Sequence, residues 1–561
     1  MFEHLLFIIF IYLIIFSIIG YGYIFLKITR FSEINNLNFG YYGISGLFFV
    51  SLISILTSFF MKHDYFHNII LHFIGLLSFV YFYNFNKEKF YPQLKKLILL
   101  SLILILGIYI FKNHDDFPYY HLTYSLYLTE NKYLIGAGLF GHGFRTFSSI
   151  FYFNSITNLP LIKYFLFNIG QFLVLLFFNF FILDKIFKEY KKKNFLTFFC
   201  LLSFIFVNVV FYRIAEHGTD RSSQILLLLI FIIFFDLTIF NKNNYNFNLK
   251  FLIILISFAA SIKSIYFLYF LLLPILFFKD KKILNILNYK NLLFNFSIVL
   301  FFISIISINI FNTGCALYPS SNTCFKNLEW SFSKKEVNTM KTHYEWWSKA
   351  GGGPSYQHKL SKEDYVKNFT WLKNWIDRHF FNKVSDTLLG IIAISLIVFF
   401  IFKSNKKVKA KPPNYFLYYL ISIVYLGEWF LNHPAMRYGG FVLFAIPIFI
   451  FTSQILERYQ LKEKDIFKKL LILVIITFVI FNSRNILRIQ KKINIYKYNI
   501  LASPFFYIPK VESKIIFDNG ELKIYRPINN MCWNLPTPCS NRGSLKVKRY
   551  LNTFMILKDD Q

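Results

Sequence analysis

"KKLILLSLILILGIYIFKN" (residues 95–113) runs directly into "HDDFPYYH" (residues 114–121). The first stretch opens on two lysines and continues as an apolar block of the ~20 residues a helix needs to cross a bilayer. The second places two histidines and two aspartates at the mouth of that helix. Ionisable groups at a membrane boundary are costly and mark either solvated ends or functional sites. Similar apolar blocks recur along the chain, which is 56% hydrophobic, 21% aromatic and only 16% charged. A soluble domain needs a polar surface that this composition does not supply. The expected fold is therefore an all-α polytopic membrane protein with about fourteen transmembrane helices, the first near Leu5 and the last near Phe467. The start, "LLFIIFIYLIIFSIIG", lacks a basic leader and a small-residue cleavage site, and reads as the first span. Around Ala259 to Ile265 the pattern fits either a hairpin of two helices or one long helix.

The net charge of +32 does not point to nucleic acid. Much of it is lysine in short loops such as "KEYKKKN" and "KSNKKVKAKPP", which the positive-inside rule assigns to the cytoplasm. The alternate segments then fall outside: 61–65, 111–160, 211–221, 311–386, 427–437 and the tail. This divides the chain into a multipass domain, 1–483, with large outer loops 111–160 and 311–386, and a small extracytoplasmic segment, 484–561. Alternation in "KIIFDNGELKIYRP" suits short strands in that tail.

Cysteines test the orientation. Cys315 and Cys324 share one outer loop, and Cys532 and Cys539 share the tail. Close pairs on an oxidising face read as disulfides. A four-cysteine zinc site is the competing reading, although neither pair has the spacing zinc favours. All seven tryptophans fall in proposed outer segments, as an interfacial belt or as platforms for sugar rings. His63 and His67 have H-x₃-H spacing beside Asp64, which leaves a divalent metal ion open there.

Loop 111–160 carries most of the information. After Asp115 and Asp116 comes "YYHLTYSLYLTENKYL", whose tyrosines and leucines share faces at helical spacing, as in a helix lying in the interface plane. "GAGLFGHGFRTFSS" then matches G-x-G-x-x-G, but no βαβ unit surrounds it, so a dinucleotide fold is excluded. Its glycines suit a flexible loop around a ligand, with Arg145 available for a phosphate. A second cluster, "YRIAEHGTDRSS", gathers Arg213, Glu216, His217, Asp220 and Arg221, either as a charged loop with Asp220 capping the next helix or as part of a site. Lys263 interrupts an apolar run. "GEWFLNHPAMRYGG" adds Glu428, His433, Arg437 and Tyr438 at another outer mouth. In loop 311–386, "HYEWWSKAGGGPSYQH" and an amphipathic stretch suggest a small helical subdomain capping the site.

This layout resembles the GT-C superfamily of integral-membrane glycosyltransferases, in which an acidic residue follows an early membrane helix in an outer loop with interface helices. It is also similar to uncharacterised bacterial multipass proteins with a D-x-x-x-Y-H-L stretch, here Asp116 to Leu122, and a Cys-Trp-Asn…Pro-Cys tail, here "CWNLPTPC". One departure is that about four helices precede the acidic loop, where the usual pattern has one. The resemblance implies an enzyme of the bacterial plasma (inner) membrane with its active face extracytoplasmic. It would move sugar from a polyprenyl-phosphate donor to a surface glycan or lipid. Such transfer needs a carboxylate to take the acceptor proton and cations to hold the departing phosphate. Asp116 is the first choice for the base, Asp115 the second, with Asp220 aiding catalysis or binding metal. His121, Arg145, Arg213, Arg221, Lys263, His433 and Arg437 are the candidate substrate and phosphate ligands. A polysaccharide polymerase is the alternative enzyme, and a lipid-linked sugar flippase or transporter the alternative of another class. Transporters tend to show repeats and ionisable groups near the midplane, whereas here they crowd one face. The partners implied are lipids and glycans, not nucleic acid.

Overall fold

A computed structural model describes residues 2–32, 34–109, 116–192, 195–240, 244–351, 360–406, 414–460 and 462–559. His114 and Asp115 lie outside the described residues, as do residues 352–359. The chain opens with four apolar helices, α1 (Phe2–Ile28), α2 (Phe39–Ser58), α3 (Tyr65–Phe85) and α4 (Lys87–Leu104). Their boundaries follow local chemistry. Asn38 caps α2 by accepting from the amides of Gly40 and Tyr41, and Asp64 caps α3 by accepting from that of His67. The next loop holds α5 (Leu122–Glu130) and α6 (Ser149–Ser155). The enclosed centre follows as α7 (Ile169–Glu189), α8 (Phe195–Val210), α9 (Thr219–Phe235) and α10 (Tyr245–Ile262). There the chain breaks: Lys263 is extended, a tight helical turn spans Ser264–Leu271, and α11 (Leu272–Lys279) continues it. Residues 259–265 are thus two segments and not one helix.

Beyond α12 (Leu292–Thr313), a long loop carries α13 (Lys334–Lys349), α14 (Lys362–Val366) and α15 (Leu372–Trp375). The helical part closes with α16 (Ser385–Phe402), α17 (Phe416–Asn432), α18 (Gly440–Leu456) and α19 (Glu463–Tyr496). Among the described residues ten helices are long and apolar enough to cross a membrane, and four shorter apolar ones, Phe195–Val210, Ser264–Lys279, Phe416–Asn432 and Gly440–Leu456, accompany them. Large apolar side chains stand exposed on the outside of the bundle, among them Phe73, Phe296, Phe400 and Val479. Apolar surface on that scale belongs in lipid. The protein is a multipass membrane protein.

The loops expected on one face do meet at one end of the bundle. The His63 amide donates to Leu128 O, the Gly136 amide to Phe311 O and the Trp533 amide to Pro118 O. The lysine-rich connections gather at the other end, where Lys185 pairs with Asp236 at 2.7 Å and Lys279 Nζ donates to Thr238 O. Both local disulfides form, Cys315–Cys324 and Cys532–Cys539, and Cys200 is free and buried.

The tail holds two antiparallel hairpins, β1 (Ser513–Asp518) with β2 (Lys523–Pro527), and β3 (Leu545–Tyr550) with β4 (Thr553–Lys558). It begins later than position 483, because α19 continues to Tyr496. It also covers the loop after α4, which changes two expectations. Leu122 through Thr129 are all buried, so α5 is enclosed and does not lie on a membrane surface. Glu130 Oε2 accepts from the Thr537 amide (2.7 Å) and hydroxyl (2.6 Å), clasping the disulfide loop onto α5. Nor is the glycine run flexible. Gly136 has φ +79°, and a Cβ there would fall 2.2 Å from Ile556 O in β4; one at Gly138 would fall 2.5 Å from Asn312 O in α12. These glycines let three backbones approach closely.

Candidate functional site

Four charged side chains from four separated parts of the chain converge at the disulfide-bearing end. Asp116 stands at the start of the turn before α5, Asp220 in the first turn of α9, Lys263 at the break after α10, and Arg437 in the loop between α17 and α18. Arg437 Nε donates to Asp220 Oδ2 at 2.8 Å, and its Nη2 donates to Asp116 Oδ2 at 3.1 Å. Lys263 Nζ pairs with the other oxygen, Asp220 Oδ1. The formal charges cancel. Asp220 is the deepest member, with its side chain 11% exposed, while Asp116 and Arg437 keep 26% and 28%. The network therefore has a closed floor and an open mouth, with Asp116 at the mouth.

Local structure fixes each member. The loop carrying Arg437 is held by ring nitrogens: Trp375 Nε1 donates to Pro434 O at 2.7 Å, and Trp429 Nε1 to Ala435 O at 3.1 Å. Gln224 Nε2, one turn along α9 from Asp220, donates to Arg437 O at 3.2 Å. The break at Lys263 is braced by α6, where Ser148 Oγ donates to Ile262 O at 2.8 Å and the Ser149 and Ser261 hydroxyls meet at 2.7 Å. The Asp220 carboxylate pushes the Arg437 guanidinium further above its usual range, against the opposing effect of burial. Both cations of the site face Tyr438, whose ring lies 4.2 Å from Lys263 Nζ and 5.7 Å from Arg437 Cζ.

The other expected residues divide into those near this network and those committed elsewhere. His121 is buried against Gly218, where a Cβ would fall 2.5 Å from the imidazole. Gly218 has φ +54°, so the loop before α9 turns there because nothing larger fits. His433 sits beside Lys263, and burial drives its imidazole down to about 4. Arg145 is buried: its Nε donates to Gly138 O at 3.1 Å and its guanidinium lies 4.4 Å from the Phe332 ring. Arg221 lies between the Phe211 and Phe441 rings at 4.5 and 4.2 Å. Arg213 belongs to a second ionic cluster and does not contact the first. It pairs with Glu216 through Nε at 2.7 Å, and Glu216 also holds Arg488 at 2.6 Å and Lys492. Arg488 in turn donates to the carbonyls of Leu106 and Tyr109 (3.0 and 2.6 Å), fastening α19 to the end of α4. Burial would raise the Glu216 carboxyl, but Arg488, Lys492 and Arg213 together hold it below its usual range.

Two further residues near the mouth were not among the expected site residues. Tyr120 is packed against Gly143, where a Cβ would fall 2.1 Å from its ring, and burial followed by the nearby Asp116 charge pushes its phenol up. His142 accepts or donates at 3.2 Å with Tyr119 Oη; burial lowers its pKa while Asp116 opposes the shift. The one signal for His142 was its place between two glycines in "FGHGF".

No group of three or more His, Cys, Asp or Glu able to hold a metal ion occurs among the described residues. His63 is buried and used in packing, with Nδ1 2.6 Å from Ser155 Oγ and Nε2 3.1 Å from Thr57 Oγ1. Four of the seven tryptophans, Trp371, Trp375, Trp429 and Trp533, are buried. Their role is packing and loop-holding, which excludes them as open platforms for sugar.

Fold and site together define a multipass helical membrane protein with a neutral Asp–Arg–Asp–Lys network at the end of its bundle that carries the disulfides. The chain belongs to the family described as a domain of unknown function (DUF8201), whose model matches residues 4–444 and so takes in all four residues of the network. No curated protein and no solved structure matches it.

Proposed function

We propose that this protein is a membrane glycosyltransferase that moves a sugar from a polyprenyl-phosphate donor to a surface glycan or lipid on the extracytoplasmic side of a bacterial plasma membrane. All fourteen apolar helices would cross the bilayer in a GT-C-like arrangement. The observation that carries the reading is the convergence of Asp116, Arg437, Asp220 and Lys263 at a mouth level with the helix ends. A hydroxyl acceptor and a lipid phosphate can both reach such a place, one from water and one from the membrane.

The chemistry assigns each group a step. The acceptor hydroxyl attacks the anomeric carbon and gives its proton to an Asp116 oxygen. The bond from that carbon to the phosphate oxygen breaks, and the electron pair leaves with the polyprenyl phosphate. Arg437 and Lys263 neutralise the departing phosphate, Arg437 through the fork that now holds two carboxylates. Asp220 keeps both cations in place while the phosphate comes and goes. When the donor phosphate takes over the Arg437 Nη2, that cation no longer competes with a proton for Asp116 Oδ2. A single displacement by one base inverts the anomeric carbon.

Mass spectrometry of envelope glycans and glycolipids from the native host tests this. Wild type, a deletion strain, and the deletion carrying Asp116→Asn, Asp115→Asn or Asp220→Asn at matched expression would be compared. The deletion should lack a single sugar that Asp116→Asn fails to restore. Full restoration by Asp116→Asn would remove the base from the mechanism, and an unchanged glycan profile in the deletion would remove the transferase reading.

A further inference from the structure

A groove of about 670 Å3 opens at the same end of the bundle, between the turn before α7, the chain that follows α19 and the disulfide loop of the tail. Tyr164 and Phe165 form one wall, Phe505, Phe506 and Tyr507 another, and Asn534 stands on the rim. The size is that of a binding site for a small molecule or a short segment of a larger one. Its walls are preformed. Phe165 and Phe505 stack at 4.4 Å, Asn534 Nδ2 donates to Tyr164 Oη at 3.2 Å, and the Tyr498 hydroxyl donates to Phe505 O. The Cys532–Cys539 bridge closes the loop that carries Asn534.

We infer that this groove binds the saccharide chain of the acceptor and presents its end to Asp116. The inference rests on the transferase reading and adds to it where the acceptor lies. Two observations select a saccharide. First, the lining alternates aromatic faces with polar groups: the Tyr164, Tyr498 and Tyr507 hydroxyls, Ser503 and Asn534. A sugar ring offers C–H faces to the rings and hydroxyls that can share hydrogen bonds with the polar groups, whereas a hydrocarbon tail would make no use of them. Among the described residues of the lining Lys510 is the one that carries a charge, and its sign suits an acidic sugar as well. Second, the groove wall adjoins the turn that bears Asp116. Phe506 packs edge-on against Phe117 at 5.5 Å, next in sequence to Asp116, and the Trp533 amide donates to Pro118 O at 3.0 Å. Phe117, Phe506 and Trp533 share one small apolar cluster that joins the groove wall to the turn bearing Asp116.

The test measures binding and not turnover. The full-length protein in detergent would be titrated by calorimetry with short oligosaccharides released from the host's own envelope polysaccharide. Wild type, Asp116→Asn, Tyr507→Ala and Lys510→Gln would be compared. Tyr507 is 44% exposed, so its truncation leaves the fold intact, as an unchanged unfolding temperature would verify. Wild type and Asp116→Asn should bind alike, and Tyr507→Ala should bind at least about tenfold more weakly. Equal binding by Tyr507→Ala, no binding by wild type, or displacement of the oligosaccharide by vesicles of host lipid would overturn the inference. Binding here together with an unchanged glycan profile in the deletion strain would instead keep the groove and discard the transferase.

Discussion

Replacing Arg437 by lysine separates a fork from a charge. The guanidinium reaches two carboxylates in two directions, with Nε 2.8 Å from Asp220 and Nη2 3.1 Å from Asp116. A lysine ammonium is a single point on a flexible stem and serves one of them. Asp220 is the more buried and already holds Lys263, so a lysine at 437 leaves either Asp116 or Asp220 short of one partner. A hydrogen bond to a charged group is worth ~1.5–3 kcal/mol. The Asp116 and Arg437 side chains are about a quarter exposed (26% and 28%), which puts this one at the lower end. Arg437→Lys should therefore cost about 1.5 kcal/mol of stability. Arg437→Met removes both contacts around a buried carboxylate and should cost ~3–5 kcal/mol. The rate should fall much further than stability. Losing one preorganised donor to a developing oxyanion slows turnover by ~100-fold or more. Thermal unfolding in detergent would read the first effect, and transfer of labelled sugar in membrane vesicles the second. Arg437→Lys turning over at the wild-type rate would show that the fork is dispensable. Arg437→Met as stable as wild type would show that the ion pairs do not hold the site together.

Two further predictions concern groups outside the site. Glu216, 2% exposed and shared by three cations, is a clasp and not a catalytic group, so Glu216→Gln should destabilise the protein by ~3–5 kcal/mol while the folded fraction keeps its activity; thermal unfolding and activity per folded molecule check both halves, and a selective loss of activity would move Glu216 into the site. His63 titrates at about 3 in the folded protein against 6.5 when free, because burial disfavours the cation. A depressed pKa contributes stability that is complete above 6.5 and is lost as the pH falls toward 3, which at pH 5 amounts to about 2 kcal/mol. His63→Gln should flatten that part of the stability profile, and an unchanged slope would show that His63 takes up its proton over the same pH range folded and unfolded.

The parts of this fold that were legible in the sequence are those set by one-dimensional patterns. Apolar length located the helices, and ten of those among the described residues have the span a bilayer requires. Lysine spacing separated the two ends, and cysteine spacing paired Cys315 with Cys324 and Cys532 with Cys539. The glycine run and α5 were misread for a shared reason. Gly136 and Gly138 resemble a mobile loop until β4 and α12 are seen pressed against them, and α5 resembles an interface helix until the tail covers its polar side. In each case the decisive partner lies more than 170 residues away, where no local period reports it.

The site obeys the same rule. Each of its four charges read locally as something ordinary: a helix mouth, a helix cap, an interruption in an apolar run and one of several polar residues at an outer mouth. What none of those explanations supplies is a reason for all four to meet. Arg437 lies 321 positions from Asp116 and 217 from Asp220, so local capping cannot account for either contact. Holding Arg437 there takes three devices that serve no capping purpose: the Trp375 and Trp429 ring nitrogens on the backbone of its loop, and Gln224 on its own carbonyl. Desolvating ion pairs is costly, and apolar packing serves stability as well or better. A chain that is 56% hydrophobic had that alternative at every one of these positions. That it spends aromatic side chains on steering a single arginine between two carboxylates, at the one end where its aromatic groove also opens, argues that the network is retained for chemistry.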